Sequence, residues 1–314
     1  MPSLQLADDT AVALQHALGM PLAAALQTHH PLARYTTMRV GGPAQFFLTV
    51  TSETALARAA TAAWQLDLPL TVLGAGSNVL IHDDGLPGLV VLNRARTMHF
   101  TPHPDRITVR AASGLLLPSL ARACIQRGAA GLEWAATVPG TVGGALYGNA
   151  GAHGSDMATN TRTITYLHRQ HGRQTRPYPD LHPTYRTTDF KVAPGQAVIL
   201  AAEFELTPGD PSALQATVNQ FTDHRKRTQP GGNTSGSMFK NPPGDYAGRL
   251  IESVGLKGYT IGGAQVSLRH ANFFVNLGTA TAQDVYELLT FVRESVLAKT
   301  GIFLELEVEL WGVR

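Results

Sequence analysis

Hydrophobic periodicity organises most of this chain beyond its first thirty residues. Residues 1–30 read as a helical leader of weak pattern, Ala- and Leu-rich from 11 to 26. Clear patterning begins at Tyr35-Thr36-Thr37-Met38-Arg39-Val40-Gly41-Gly42, followed by a strand over 45–50. A helix is predicted for 53–66, with Thr51 or Ser52 as N-cap and Pro69 beyond its end. A strand over 70–73, a glycine loop at 74–78 and an apolar run at 79–81 complete a β-α-β-loop-β order. Alternation at 107–111 predicts another strand, and a helix over 118–126 closes at Gly128. Glycine is dense from 131 to 154, with strands following near 163–167 and 197–206.

Asp210 and Pro211 suit the N-cap and first position of a helix reaching about residue 223. After a Gly/Ser/Asn segment at 231–237, a helix is expected over 245–254, ending at Gly255. Another starts at Thr281, with Asp284 three residues on, and sets Val285, Leu288, Leu289, Val292 and Val296 on one face before Gly301. The last strand alternates Leu304, Leu306, Val308 and Leu310 against Glu305, Glu307 and Glu309. This pattern divides the chain into the leader, units at 31–95 and 96–208, and a C-terminal domain at 209–314.

Composition narrows the class. The 314 residues are 44% hydrophobic and 15% charged, which excludes a disordered or coiled-coil chain. With 31 Gly and 19 Pro, a loop-rich α/β or α+β enzyme fits better than a helical bundle. A net charge of +2 gives no footprint for nucleic acid; Arg225-Lys226-Arg227 reads as the cationic end of a helix. The single cysteine, Cys124, lies in an apolar stretch and reads as a buried small hydrophobe. One cysteine forms no internal disulfide, and no run approaches the ~18 to 20 apolar residues of a membrane span. Asp8 and Asp9, with no Lys or Arg, precede the Ala/Leu run, so a signal peptide's positive start is missing; a cytoplasmic protein is expected.

Two glycine loops carry the first chemical signal. Gly74-Ala75-Gly76-Ser77-Asn78 follows a strand, and glycines there allow positive φ and close approach of N–H groups to an anion. The dinucleotide-binding pattern needs a third glycine at position 79 and then a helix; Val79 and a strand-like run stand there instead. Pro139-Gly140-Thr141-Val142-Gly143-Gly144-Ala145 has no Lys-Ser/Thr pair, which excludes an ATP-binding P-loop. Each loop alone reads as a tight turn. Together they point to a large phosphate-bearing cofactor.

The motifs also resemble a known family. Tyr35 to Gly42, Leu73-Gly74-Ala75-Gly76-Ser77-Asn78-Val79-Leu80 and Val138-Pro139-Gly140-Thr141-Val142-Gly143-Gly144-Ala145 are similar to successive motifs of the UDP-N-acetylenolpyruvoylglucosamine reductases (MurB). So are Asn149-Ala150-Gly151-Ala152-His153-Gly154, Tyr185-Arg186-Thr187-Thr188-Asp189-Phe190 and Gly236-Ser237-Met238-Phe239-Lys240-Asn241-Pro242. Gly255 to Gly258, Gly262 to Ser267 and Leu304 to Val308 continue the order. The resemblance runs from about His30 to the end. Ala75, Ala135 to Val138, Gly148 and Thr188 depart from the family's usual residues by small or apolar swaps.

The resemblance implies an α+β chain. Its two-subdomain FAD-binding fold is of the PCMH/vanillyl-alcohol-oxidase-like kind, with a C-terminal α+β substrate-binding domain. It implies non-covalent FAD, NADPH as co-substrate and a UDP-sugar enol ether as substrate, in the compact branch lacking the tyrosine loop. Arg39, Gly41, Gly42, Gly74, Ala75, Gly76, Ser77, Asn78, Val79, Pro139, Gly140, Thr141, Gly143, Gly144, Asn149, Ala150 and Gly151 become candidate flavin contacts. No histidine lies in 74–78, where flavin-linked oxidases of this fold usually carry one.

The implied reduction sends a hydride from flavin N5 to the enol ether's terminal carbon and a proton to the carbon bearing the carboxylate. The intermediate gathers charge on the carboxylate oxygens, so fixed donors belong there. Arg186 is the planar, two-toothed candidate. Ser237 matches the family's proton donor, although from residues alone it is one more small loop residue. Glu307, not Glu305 or Glu309, matches the family's carboxylate; residues alone leave all three on a solvated face. All three catalytic candidates are expected to converge over the isoalloxazine ring. Tyr185, Lys240, Asn241, Lys257 and His270 are candidate substrate contacts, and no His/Cys/Asp/Glu spacing predicts a metal. Alternatives are another FAD oxidoreductase of this fold or a non-catalytic nucleotide-sugar-binding protein. The presence of Arg186, Ser237 and Glu307 together argues against the second.

Overall fold

The computed structural model describes residues 2–312. Two compact units emerge, and neither is continuous in sequence. Unit 1 comprises residues 1–30, 45–74 and 87–221; unit 2 comprises 31–44, 75–86 and 222–314.

Unit 1 has two cores. The first lies against a four-stranded sheet ordered Gln27–Pro31, Pro43–Val50, Leu86–Asn93 and Leu70–Leu73, the last two parallel. Helix Glu53–Gln65 begins at Ser52, whose side chain accepts the Ala55 N–H. It buries Leu56, Ala59, Ala60 and Ala63 on this sheet with Leu14 and Leu18 of helix Pro2–Leu18. The leader is thus helical and contributes to a core. The second core is covered by an antiparallel sheet ordered Gly172–Pro177, Thr161–His168, Ala197–Pro208, Ile107–Ala112 and Met98–Pro102. Helix Leu117–Gln126 packs Leu117, Leu120 and Cys124 into it. Burial pushes the Cys124 thiol up to about 12, which leaves no thiolate near neutral pH. Arg110 clasps both oxygens of Glu53 at 2.6 Å, joining the first helical turn to the second sheet.

Unit 2 is built on helix Ala282–Thr300, which opens with the expected Thr281/Asp284 capping box and closes at Gly301. Its Val285, Leu288, Leu289, Val292 and Val296 pack on Phe239, Leu250, Ile251, Phe274 and Leu304, together with Met38, Val40 and Leu80. A small antiparallel sheet, Thr260–Ile261, Ala264–Val266 and Phe274–Asn276, lies beside it. Strand Glu309–Trp311 pairs in parallel with Val79–Ile81, and Asn276 Nδ2 donates to Met38 O at 2.9 Å. These bonds draw 31–44 and 75–86 into the C-terminal unit, although the hydrophobic pattern alone places them in a unit at 31–95.

Several element boundaries differ from the periodicity. The helix from Pro211 runs to Thr228, so Arg225, Lys226 and Arg227 occupy its last turn, where cations complement the exposed carbonyls. The helix expected over 245–254 is confined to Ala247–Ser253. The alternation at 304–310 gives a strand only at Glu309–Trp311, because residues 304–308 make just an isolated bridge, Leu306 with Phe239. Glu309 is half-buried rather than solvated. Strand Leu86–Asn93 is a nearly continuous buried run and carries no alternation to announce it.

Leu288 is fully buried at the centre of the unit 2 core. Leu288→Ala is expected to lower stability by about 2 to 5 kcal/mol through lost transfer energy plus a cavity. Urea unfolding measures this, and an unchanged midpoint would contradict the packing described.

Candidate functional site

The first glycine loop is shaped by what its neighbours forbid. A Cβ on Gly76 (φ +61°) would sit 2.1 Å from Tyr35 O, and Gly76 O accepts the Thr37 N–H at 2.9 Å. Only glycine lets the loop lie this close to the 35–37 backbone. A Cβ on Gly74 would lie 2.5 Å from Thr141 Oγ1, so in unit 1 the two glycine loops touch. Gly42 is equally restricted: its Cβ would lie 2.0 Å from Asp83 O, and its N–H donates to His82 O. A Cβ on neighbouring Gly41 (φ +125°) would press on Ile81 Cβ at 2.9 Å. Arg39 adopts φ +61°, uncommon for a side-chain-bearing residue, and its guanidinium donates to Arg34 O at 2.7 Å. Ala75, Ser77 and Val79 complete the loop, with Val79 buried where the parallel strand pair begins.

The second loop spends its amides internally. Thr141 caps the short helix Val142–Tyr147, and Gly144 N donates to its Oγ1 at 3.3 Å. The N–H groups of Val142 and Gly143 go to Leu115 O and Ser113 O. Gly140 (φ +141°) supplies its carbonyl to Leu117 N, with Pro139 just ahead. Hence Gly143 and Gly144 build the turn rather than aim two amides outward. Asn149, 3% exposed, is a brace: it donates to Asp156 Oδ2 and Thr184 O and accepts the Ala158 N–H. Ala150 N donates to Ala145 O, and Gly151 pairs with Asp156.

Asn149 and Gly151 lead to Arg186. Residues 184 and 187 exchange backbone bonds in a tight turn, at whose corner Arg186 takes φ +60°. Its guanidinium donates to Gly151 O at 3.1 Å and lies over the Tyr185 ring, 5.4 Å from the centroid. Tyr185 itself is 54% exposed. A strained backbone that aims an arginine is a feature associated with function.

Ser237 and Glu307 are joined inside unit 2. Glu307 N donates to Met238 O at 2.9 Å, Lys240 N donates to Glu305 O at 2.8 Å, and Phe239 bridges Leu306. Asn78 Nδ2 donates to Glu307 O at 2.9 Å, and Glu309 N donates to Asn78 O. The first glycine loop, the serine segment and the glutamate therefore form one hydrogen-bonded assembly. Arg186 belongs to unit 1.

The remaining candidates are engaged within unit 2. Lys240 Nζ meets Glu305 at 3.0 Å and Lys257 Nζ meets Glu252 at 2.7 Å. Asn241 Oδ1 accepts the Ala247 N–H and caps the helix there. His270 packs edge-on to Phe273; burial first, then the field of Lys257, lowers its pKa. Two asparagines escaped notice in the sequence, Asn272 and Asn276, 3% and 6% exposed. The signal was there: each interrupts an apolar run, and buried amides need partners. Among the described residues no group of three His, Cys, Asp or Glu side chains is placed to hold a metal, and no helix is long and apolar enough to cross a membrane.

Comparison with known proteins completes the picture. Residues 44–168 match the FAD binding domain, which defines a flavoprotein fold. Residues 228–311 match the UDP-N-acetylenolpyruvoylglucosamine reductase C-terminal domain. The chain is 43% identical over 284 residues to UDP-N-acetylenolpyruvoylglucosamine reductase 2 of Symbiobacterium thermophilum, covering 90% of this chain and 91% of that one. It is 40% identical over 309 residues to the Moorella thermoacetica reductase, covering 97% and 99%. The crystal structure of the Thermus caldophilus reductase (MurB) superposes with a TM-score of 0.77 at 34% identity, covering 91% and 98%. The chain belongs to the UDP-N-acetylenolpyruvoylglucosamine reductase family. The loops are compatible with FAD in charge: residues 74–78 and 139–144 contain no carboxylate to repel a diphosphate.

Gly76→Ala is expected to weaken FAD retention about tenfold or more, since a left-handed non-glycine residue costs roughly 1 to 2 kcal/mol before the Tyr35 clash is counted. Flavin absorbance per polypeptide after dialysis measures it; parental flavin content would show that the loop tolerates a side chain.

Proposed function

We propose that the protein catalyses the NADPH-dependent, FAD-mediated reduction of UDP-N-acetyl-3-O-(1-carboxyvinyl)-glucosamine to UDP-N-acetylmuramate. Family membership supports the reaction. The observation that carries the assignment of residues is the backbone union of Ser237's segment with Glu307 and Asn78. FAD, when bound, accepts two electrons from NADPH and supplies hydride to the terminal carbon of the enol ether. In this reading residues within 31–208 hold the flavin, through the 39–42, 74–79 and 139–151 segments, and 209–314 receive the sugar nucleotide.

Arg186 binds the substrate carboxylate through its planar fork; Glu307 donates a hydrogen bond to that carboxylate in its protonated form, or positions Arg186 in its ionised form. The fixed donors of Arg186 stabilise the negative charge that develops on the substrate carboxylate oxygens as the terminal carbon gains hydride. Ser237 then delivers a proton to the carbon bearing the carboxylate. A serine hydroxyl is a weak acid, so it donates only to a strongly basic carbon, and the alkoxide must be re-protonated from solvent or neighbouring groups. Lys240, Asn241, Lys257, His270 and Tyr185 are the candidates for the diphosphate, sugar and uracil. Lys240 and Lys257 are each held by a glutamate, so binding the nucleotide's diphosphate exchanges a carboxylate partner for a phosphate. A single buried cysteine and a nucleotide-linked substrate are consistent with a reaction in the cytoplasm.

Anaerobic half-reactions separate the steps. NADPH should bleach the flavin, and the enolpyruvyl nucleotide should restore its absorbance. Ser237→Ala is expected to keep bleaching by NADPH but slow re-oxidation by on the order of 10²-fold or more, the usual weight of a positioned proton donor. Normal re-oxidation would remove Ser237 from this role.

A further inference from the structure

Ser237 sits at a bend whose geometry no strand ladder fixes. In a regular strand the N–H and C=O of one residue point to the same side, and those of the next residue to the other. The segment 237–240 breaks this rule. Ser237 bridges Phe273 and Met238 N donates to Asn272 O at 2.8 Å, whereas Met238 O turns to Glu307 N and Lys240 N to Glu305 O. The chain changes hydrogen-bonding neighbour within two residues, from 272–273 to 305–307. Phe239, fully buried, lies at the change.

One side chain serves both backbone groups of Phe239. Asn272 Oδ1 accepts the Phe239 N–H at 3.0 Å, and Asn272 Nδ2 donates to Phe239 O at 2.8 Å. The carboxamide stands in for a peptide group, pairing with Phe239 as one strand residue pairs with another. With both groups buried, losing either bond leaves a buried polar atom unpaired, which is costly. A general fold brace would serve anywhere in the core. This one grips the residue two positions from the serine, at the point where the backbone turns from the 272–273 segment to that of Glu307.

We infer that Asn272 is a positioning residue for protonation: its carboxamide holds the bend at 238–239 and thereby sets where Ser237 lies relative to Glu307. It touches neither substrate nor flavin in this role. The inference rests on Ser237 as the proton donor. Asn272→Ala should therefore spare flavin reduction and damage the half-reaction that needs the proton. Misplacement by about 1 Å can cost roughly a hundredfold in rate. Asn272→Asp keeps the acceptor for Phe239 N–H but sets an oxygen against Phe239 O, so its loss should be intermediate.

The test uses the FAD-loaded enzyme. Stopped-flow measurement should show Asn272→Ala bleached by NADPH at the parental rate and re-oxidised by the enolpyruvyl nucleotide roughly a hundredfold more slowly. A larger solvent deuterium isotope effect on re-oxidation should accompany this. Re-oxidation at the parental rate, or equal slowing of both half-reactions, overturns the inference. Ser237→Ala measured in parallel separates the two failures: if it re-oxidises normally, the proton-donor reading has failed and takes the inference with it. Should the Asn272 variants not fold, amide-resolved hydrogen exchange on the unaltered holoenzyme decides. Slow exchange at Phe239 supports the clamp; exchange as fast as in 231–236 overturns it.

Discussion

A short run of backbone hydrogen bonds between residues 238–240 and 305–307 is the constraint on which the proposed site depends. Each such bond contributes only about 1 kcal/mol net. Their value lies in what surrounds them: Met238, Phe239 and Leu304 are fully buried and Val308 nearly so. In that setting an unmade bond would strand a polar group without water, so the register is fixed more firmly than the net energies suggest. The apolar alternation at 304, 306 and 308 seats the tail segment and brings Glu307 to the serine segment.

The same constraint explains the discontinuous unit. Residues 75–86 fold with the C-terminal third because Val79–Ile81 supplies the parallel partner for Glu309–Trp311 and Asn78 holds the Glu307 carbonyl. A loop bearing candidate flavin contacts is thus tied to the strand that follows the candidate carboxylate. Gly74 remains with unit 1, against Thr141. The boundary between units runs through the loop itself.

Much of the fold is legible where local and tertiary preferences agree. Ser52 caps its helix, Thr281 and Asp284 form their box, and strand Leu70–Leu73 falls where expected. The misses share a cause. Leu86–Asn93 is buried along nearly its whole length, so period-two patterning is absent. The alternation at 304–308 is real but reflects insertion into a core without a continuous ladder. For the site, composition and spacing reach only as far as two glycine loops; Ser237 and Glu307 are inconspicuous by themselves and stand out through family resemblance. Asn272 was detectable in principle as an amide within an apolar run, but its partner, the Phe239 backbone, is distant in sequence and appears only in three dimensions.

In the proposed reaction the paired segments 237–240 and 305–307 form the floor on which the enolpyruvyl group is protonated. A crystal structure with FAD and the enolpyruvyl nucleotide bound tests it most directly. The account predicts Ser237 Oγ in van der Waals reach of the carbon bearing the carboxylate, with Arg186 and Glu307 on the carboxylate oxygens. An enolpyruvyl group lying away from Ser237, or Arg186 directed elsewhere, would contradict it.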